Sequence, residues 1–456
     1  MPLHRPSGRD AGEKLAVNPL FARPGLEEVP KNRLPSGSMD PATAYQIVHD
    51  ELLLDGNART NLATFVTTWM EPQGRALMVE GADKNMVDRD EYRQTAELER
   101  RCVSMFGDLW HASGDPIGCS TAGSSEACML GGLALKRRWQ KRTGSSGQPN
   151  LVMGANVQVA WEKFCNYWDV EPRLVPMEGD RFHLDAETAV EQCDANTIGV
   201  VAILGSTFDG SYEPVAEIAS ALDELEQRSG HDVPIHVDGA SGAMVAPFID
   251  PEVLWDFRLE RVASINTSGH KYGLVYPGIG WLLWRDREAL PEELVFKVDY
   301  LGGDMPTFTL NFSRPGSQVA AQYYNLIRLG FEGYRAVQEQ CRQVAGHLAR
   351  GLAEMGPFEL LTDGSELPAF AFKLREEVES FNVYDVSTRV RERGWIVPAY
   401  NFPKNREDLH VLRVVVRNGF SRDLADLFLE DMGRVVPQLE RQAKPVAGPG
   451  AASFHH

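Results

Sequence analysis

Short apolar runs alternate with helical patterns over the middle of the chain, from about residue 95 to residue 335. Apolar residues recur at helical spacing over 126–142 and 214–227. The runs of strand length are 151–153, 198–204, 233–237, 262–265 and 280–284. Strands that alternate with helices in this way predict a mostly parallel sheet with helices on both faces.

The segments on either side of this region have a different pattern. Residues 1–40 are rich in Pro, Gly and charge, whereas 41–58 have helical spacing, with Asp40 as N-cap and Pro41 as first helical residue. A long helix is expected to begin near Ser317, and strand-like runs follow at 358–361, 369–374, 395–399 and 411–416. We predict an N-terminal arm and helix (1–58), a large domain (59–344), a smaller C-terminal α/β domain (345–440) and a flexible tail (441–456).

Composition narrows the class of protein. The chain has 456 residues, 43% of them hydrophobic, which is ample for a sizeable core. A net charge of −18 argues against a nucleic-acid partner, which would favour a basic face. The chain has no apolar stretch of about 18 residues and no signal-peptide pattern, so we expect no membrane span. Six cysteines without a C-x-x-C pair are expected to be reduced thiols of a cytoplasmic protein.

An acid and a lysine follow two of the predicted strands. Asp238 directly follows the run 233–237, and Lys271 follows the run 262–265 after Ser-Gly-His. In an open α/β sheet, ligands bind at the carboxyl ends of strands. Taken singly, the two residues are equally compatible with a turn-forming aspartate and a surface lysine. Together they suit pyridoxal 5'-phosphate (PLP): the lysine forms a Schiff base, and the acid keeps the pyridine nitrogen protonated.

A helix is expected to begin at small residues, Gly123-Ser124-Ser125. The free N–H groups and hydroxyls of such a start suit a phosphate dianion, although an ordinary serine N-cap has the same pattern. His270 is a candidate donor to that phosphate, the alternative being a structural histidine. The sequence has no H-E-x-x-H motif or Cys/His cluster, so no metal is predicted.

With these motifs in place, the chain resembles the glutamate decarboxylases of the bacterial and plant type, among the group II PLP-dependent decarboxylases. The resemblance extends over about 45–440 and is carried by residues 54–59, 61–65, 123–132, 168–169, 238–242, 268–271, 298–303 and 311–315. It implies the α/β fold of PLP-dependent transferases (aspartate aminotransferase type I). It also implies decarboxylation of L-glutamate to 4-aminobutanoate and CO2, with one proton consumed per turnover.

The resemblance also implies roles for individual residues. Lys271 and Asp238 keep the roles given above, Gln158 stacks on the cofactor ring opposite Ala240, and Thr207 touches the ring substituents or the adjacent carboxylate. The phosphate ligands are Ser124, Ser125, Ser268 and His270, with Ser313 from a neighbouring subunit. The substrate ligands are Thr64 and Phe65 for the side-chain carboxylate, Arg413 for the α-carboxylate, and Asn85 and Asp88 from a second chain.

Partners and regulation follow from the same resemblance. Tyr300 and Leu301 are expected on a mobile loop that reaches a partner's site, which implies a homo-oligomer, a dimer at least; some family members are hexamers. No basic, Trp-bearing extension follows residue 440, so no calmodulin partner is expected. The terminal 454–456 resemble a tail whose histidine, His456 here, closes the site as pH rises. A purification-tag remnant and a floppy terminus are the alternatives.

Two other functions remain open at this point. The first is a related PLP-dependent decarboxylase or carbon–carbon lyase that acts on aspartate, an aromatic amino acid or a phosphorylated sphingoid base. The second is a PLP-fold protein that has become a binding or regulatory module, against which the intact Lys271, Asp238 and Arg413 argue.

Overall fold

The structure is a computed structural model that describes residues 31–114, 116–144, 147–298 and 305–441. The chain divides into two compact units, Met1–Gly56 and Asn57–His456. Residues 1–30 of the predicted arm, the predicted tail beyond residue 441, and Tyr300, Leu301 and His456 lie outside the described residues. The predicted boundary between a large and a small domain at 344/345 stays a prediction.

In the first unit, the described part contains helix α1, Pro41–Leu52. Asp40 is its N-cap, and the Asp40 carboxylate accepts a hydrogen bond from the Thr43 backbone N–H at 3.0 Å. The predicted helix over 41–58 therefore begins where expected but is too long. The chain leaves the helix through tight turns after Leu52, and Gly56, a poor helix former, follows.

The second unit contains ten α-helices within its described part. They are α2 Pro72–Glu80, α3 Arg93–Leu109, α4 Ser124–Thr143, α5 Val159–Tyr167, α6 Ala186–Glu191, α7 Val215–Ser229, α8 Ala246–Ile249, α9 Ser317–Glu354, α10 Val383–Glu392 and α11 Arg422–Glu440. Helix α9 begins at the predicted residue and is broken at Gly330, whose backbone is not helical. Within the described ranges, every helix is too short or too polar to traverse a bilayer.

A seven-stranded sheet forms the centre of this unit. Its strands are β1 Ile117–Thr121, β2 Asn150–Gly154, β3 Glu171–Val175, β4 Thr197–Ile203, β5 Ile235–Asp238, β6 Val262–Thr267 and β7 Gly280–Trp284. The spatial order is β1-β7-β6-β5-β4-β2-β3, and only β7 runs antiparallel to its neighbours. The predicted mostly parallel sheet is confirmed.

Two smaller sheets complete the described strands. One is a hairpin of β8 Phe296–Val298 and β9 Met305–Thr307. The other is a four-stranded antiparallel sheet of β10 Phe358–Leu360, β11 Ala369–Leu374, β12 Ala399–Asn401 and β13 His410–Val415, in the order β10-β11-β13-β12.

Two strands of the central sheet were missed, and one predicted strand is wrong. After Ile117, strand β1 is made of small and polar residues, and β3 is an edge strand that contains Pro172 and charged residues, so neither has a long apolar run. The predicted strand 395–399 is displaced, because β12 begins only at Ala399. Before it, Ile396 forms an isolated bridge with Asn61 instead, and Pro398 has no N–H to donate to a ladder.

Both faces of the central sheet are buried. Along β4, Val200 and Ala202 pack into one hydrophobic cluster, whereas Val201 and Ile203 pack into another. Successive side chains of a strand point to opposite faces, so the two clusters lie on the two sides of the sheet. Covered faces leave the carboxyl ends of the strands as the place where polar side chains can converge.

Candidate active site

Asp238 and Lys271 line the same cavity, whose volume is about 480 Å3. Asp238 is the last residue of β5 and is 5% exposed. Lys271 follows β6, which is the parallel neighbour of β5. The structure therefore brings together the two residues from which the cofactor was predicted.

The Lys271 side chain is partly buried and lines the cavity. Its Nζ donates to Ser241 Oγ at 3.2 Å and lies 5.5 Å from the centre of the Phe65 ring. Burial lowers the pKa of Lys271, the Arg413 charge lowers it further, and the Asp238 charge opposes both. A lowered pKa increases the fraction of neutral amine, which is the nucleophilic form.

Thr67 holds the backbone of the lysine loop and was missed by sequence reasoning. Its hydroxyl donates to the Lys271 carbonyl at 2.6 Å, and its N–H donates to the His270 carbonyl at 2.7 Å. The two residues of the first bond are 204 positions apart, so no local pattern relates them.

The Asp238 carboxylate accepts three hydrogen bonds from nitrogen donors. Trp161 Nε1 donates to Oδ2 at 2.8 Å, while Asn266 Nδ2 and the Ala240 backbone N–H donate to Oδ1 at 3.1 Å each. These bonds hold the carboxylate from three segments, namely α5, β6 and the turn after β5. Sequence reasoning missed Trp161 and Asn266, although Trp161 lies one helical turn after Gln158 at the start of α5.

Small residues meet at the start of α4, as predicted. Helix α4 begins at Ser124, after Gly123, and Ser124 Oγ lies 2.7 Å from Ser268 Oγ. The first residue of β7, Gly280, packs against this turn so closely that a Cβ on it would lie 2.8 Å from the Ser124 nitrogen. With Ser125, these residues present N–H groups and hydroxyls to the cavity, as a phosphate dianion requires.

His270 supplies a further test of whether PLP fits. The side chain lines the cavity, and its buried Nδ1 has no hydrogen-bond partner among the described residues. Burial and the Lys271 charge lower the pKa of His270 to about 4, so the ring is neutral near pH 7. An unpartnered polar atom beside the α4 turn suits a polar cofactor group, and PLP therefore fits the residues present.

Three further predicted cofactor residues, Gln158, Ala240 and Thr207, also line the cavity. Gln158 is the N-cap of α5, and its Oε1 accepts the Ala160 N–H at 2.6 Å. That contact fixes the side chain at the cavity wall. Stacking of Gln158 and Ala240 on opposite faces of the ring stays a prediction.

Arg413 is 7% exposed and has a role that the sequence did not reveal. Its Nη1 donates to the Thr207 carbonyl, and its Nη2 donates to the Ala63 carbonyl at 2.6 Å. Its guanidinium also lies 4.8 Å from the centre of the Phe65 ring. Arg413 thus joins the segments that carry two other predicted ligands, and its buried Nε has no partner among the described residues.

Six predicted ligands are absent from the cavity lining within the described part of the chain: Thr64, Phe65, Asn85, Asp88, Ser313 and Arg413. Thr64 Oγ1 accepts the Val66 N–H at 3.0 Å. Asn85 Nδ2 donates to Ser313 Oγ at 3.3 Å, so these two form a separate pair. In the described residues, no group of three or more His, Cys, Asp or Glu side chains is placed to hold a metal ion.

Comparison with known proteins agrees with this geometry. The family model "Pyridoxal-dependent decarboxylase conserved domain" matches residues 32–375. A glutamate decarboxylase of Aliivibrio fischeri is 50% identical over 96% of this chain and 95% of its own length, and one of Petunia hybrida is 50% identical over 90% and 84%. The solved structure of a Lactobacillus brevis glutamate decarboxylase has 46% identity and a TM-score of 0.88, covering 91% of this chain and 96% of that one.

These matches span most of the chain, and the solved structure confirms the predicted fold class. The chain belongs to the pyridoxal-dependent decarboxylase family, with PLP as its cofactor, and is similar over most of its length to the glutamate decarboxylases.

Proposed function

We propose that this chain decarboxylates L-glutamate to 4-aminobutanoate and CO2. The observation that carries the proposal is the convergence of Lys271, Asp238 and the α4 turn on one cavity. Relatives named glutamate decarboxylase, at 46–50% identity over most of the chain, support glutamate as the substrate.

The chain's own groups would prepare the site as follows. Lys271 would provide the amine that attaches the cofactor and that the substrate amine displaces. Asp238 would hold a proton at the pyridine nitrogen, and Ser124, Ser125 and Ser268 would hold the phosphate. When bound, PLP supplies an electron sink for the pair left by the broken Cα–carboxylate bond. Because Cα gains a proton as CO2 leaves, each turnover consumes one proton.

Substrate recognition would use charge at both ends of glutamate. Arg413 would receive the α-carboxylate, for which its Nε is unpartnered among the described residues. Thr64 and Phe65 would receive the side-chain carboxylate. This pairing favours a short acidic amino acid over an aromatic one, since an apolar ring would offer the Thr64 hydroxyl no acceptor.

A homo-oligomer would complete the site. Asn85 and Ser313 bond to each other away from their own chain's cavity, which supports roles for Asn85, Asp88 and Ser313 in a neighbour's site. Sedimentation at several protein concentrations measures the assembly, and a monomer would contradict the proposal. The cytoplasm is the proposed location, supported by six cysteines without a disulfide.

The test is a substrate panel with CO2 detection on the purified, PLP-loaded protein. The panel contains L-glutamate, L-aspartate, an aromatic amino acid and a phosphorylated sphingoid base. We expect turnover of glutamate at least about 100-fold above the others, roughly 3 kcal/mol in transition-state binding. A preference for another member of the panel would reject the proposed substrate. Absence of a visible cofactor band would reject the proposed chemistry.

A further inference from the structure

A chain of hydrogen bonds connects Asp238 to a histidine that the proposed chemistry does not use. His236 precedes Asp238 by two positions on β5, and Ser264 and Asn266 are two positions apart on β6. In the parallel register, His236 lies opposite Ser264, and Asp238 lies opposite Asn266. His236 Nδ1 is 2.7 Å from Ser264 Oγ, and its Nε2 is 2.7 Å from Asn266 Oδ1.

The Asn266 amide connects this pair of strands to the cofactor site. Its Nδ2 donates to Asp238 Oδ1 and to Ser124 Oγ, at 3.1 Å each. One NH2 group therefore serves both the acid that would pair with the pyridine nitrogen and a hydroxyl that would hold the phosphate. Asn266 itself is 0% exposed, so water does not compete for these bonds.

The direction of each hydrogen bond follows from chemistry. A reversed Asn266 amide would place its oxygen against the Asp238 carboxylate, two acceptors in contact, so the NH2 must face Asp238. The Asn266 oxygen then accepts, and His236 Nε2 must carry a hydrogen. Burial lowers the pKa of His236, so the ring is neutral and Nδ1 accepts from the Ser264 hydroxyl.

Packing holds the imidazole in this position. The ring meets the edge of Trp161 with centroids 4.9 Å apart and an interplanar angle of 67°. On another side it lies against α4 at Gly131, where a Cβ would come within 2.6 Å of His236 Cε1. Any residue but glycine would push the ring from its place. Trp161 is also the donor to Asp238 Oδ2. His236 therefore contacts both side chains that donate to the acid, Trp161 for Oδ2 and Asn266 for Oδ1.

We propose that His236 is a positioning residue for the cofactor site: through Asn266, it orients the hydrogen-bond donor that Asp238 and Ser124 share. The inference rests on the proposed role of Asp238 as partner of the pyridine nitrogen. Without the His236 N–H, the Asn266 amide is free to rotate, and Asp238 and the phosphate turn lose a common donor together.

A matched pair of substitutions tests the proposal. His236→Gln keeps an N–H near the position of Nε2, whereas His236→Asn offers one only near Nδ1. For His236→Asn we expect PLP to dissociate from the holoenzyme about tenfold faster, which corresponds to roughly one lost hydrogen bond to a charged group. We also expect the absorption band of bound PLP to change at a different pH from that of the wild type. His236→Gln should stay within about twofold of the wild-type dissociation rate. Equal behaviour of the two variants would overturn the proposal.

The two substitutions are repeated in an Asn266→Ala background, where His236 has no amide to orient. In that background we expect His236→Asn to change the PLP dissociation rate no further. If the effects of the His236 and Asn266 substitutions on this rate were fully additive, His236 would act by another route. If His236→Asn does not fold, Ser264→Ala replaces it, because loss of the Ser264 hydroxyl frees the ring tautomer. It should speed PLP loss about threefold, and only while Asn266 is present.

Asp238→Asn separates failure of this inference from failure of the proposed function. If that variant leaves the absorption band of bound PLP unchanged, the role assigned to Asp238 is wrong. If it shifts the band while His236→Asn and His236→Gln remain alike, only the inference about His236 is wrong.

Discussion

Arg413→Lys separates two roles of this arginine, substrate binding and the joining of two loops. The guanidinium donates to the carbonyls of Thr207 and Ala63 and lies over the Phe65 ring. A lysine ammonium keeps the charge but reaches only one carbonyl. Each hydrogen bond from a charged donor contributes about 1.5–3 kcal/mol, and a desolvated cation–π contact adds about 0.5–2 kcal/mol. We expect Arg413→Lys to lower the free energy of unfolding by about 2–4 kcal/mol.

The assay is denaturant unfolding of the PLP-free protein at fixed concentration, without substrate, so that substrate binding makes no contribution. Arg406→Lys is the matched control. Arg406 also donates to a carbonyl, that of Gly179, and lies 5.5 Å from the Phe182 ring, but its side chain is 20% exposed. Its substitution should cost less than about 1 kcal/mol. If Arg413→Lys cost no more than the control while KM for glutamate rose, the loop-joining role would be refuted.

Three other predictions follow from the site. Lys271→Ala should abolish decarboxylation and borohydride labelling while leaving a folded protein by circular dichroism; substantial turnover by the pure variant would contradict the central assignment. Ser241→Ala removes the hydrogen-bond partner of Lys271 Nζ. In steady-state kinetics it should lower kcat about three- to tenfold with little change in KM. An unchanged kcat would mean that the contact does not contribute to catalysis. The pKa of His270 is lowered from 6.5 to about 4, so between these pH values the unfolded chain binds more protons than the folded one. The free energy of unfolding of the PLP-free protein should therefore fall by up to about 3 kcal/mol as pH falls from 6.5 to 4. His270→Asn should flatten that part of the stability curve, and a wild-type profile in the variant would exclude His270 as the cause.

Much of the central sheet and the pair Asp238 and Lys271 could be predicted from local pattern. The apolar runs of β2, β4, β5, β6 and β7 are bounded by turns, and an acid or lysine just after such a run lies at the ligand-binding edge. Strands without such runs were missed. Apart from Ile117, strand β1 is made of small and polar residues, and β3 is a partly exposed edge strand.

The residues that support Asp238 left a weaker signal in the sequence. His236 and Asp238 alternate with apolar residues on β5, as Ser264 and Asn266 do on β6. A period of two places each pair on one face of its strand. That the two faces coincide depends on the pairing of β5 with β6 in one register, which no single segment encodes.

By itself, the sequence predicted the mostly parallel sheet and the placement of Asp238 and Lys271 at the carboxyl ends of strands, because these depend on the order of apolar and polar positions within short segments. The same two residues led to the prediction of the cofactor. Only the tertiary structure decided which side chains hold those residues in place. Thr67 meets Lys271 across 204 positions, and Arg413 meets Ala63 across 350. Contacts of that range arise from the packing of whole elements, and each depends on every strand and helix between its two partners.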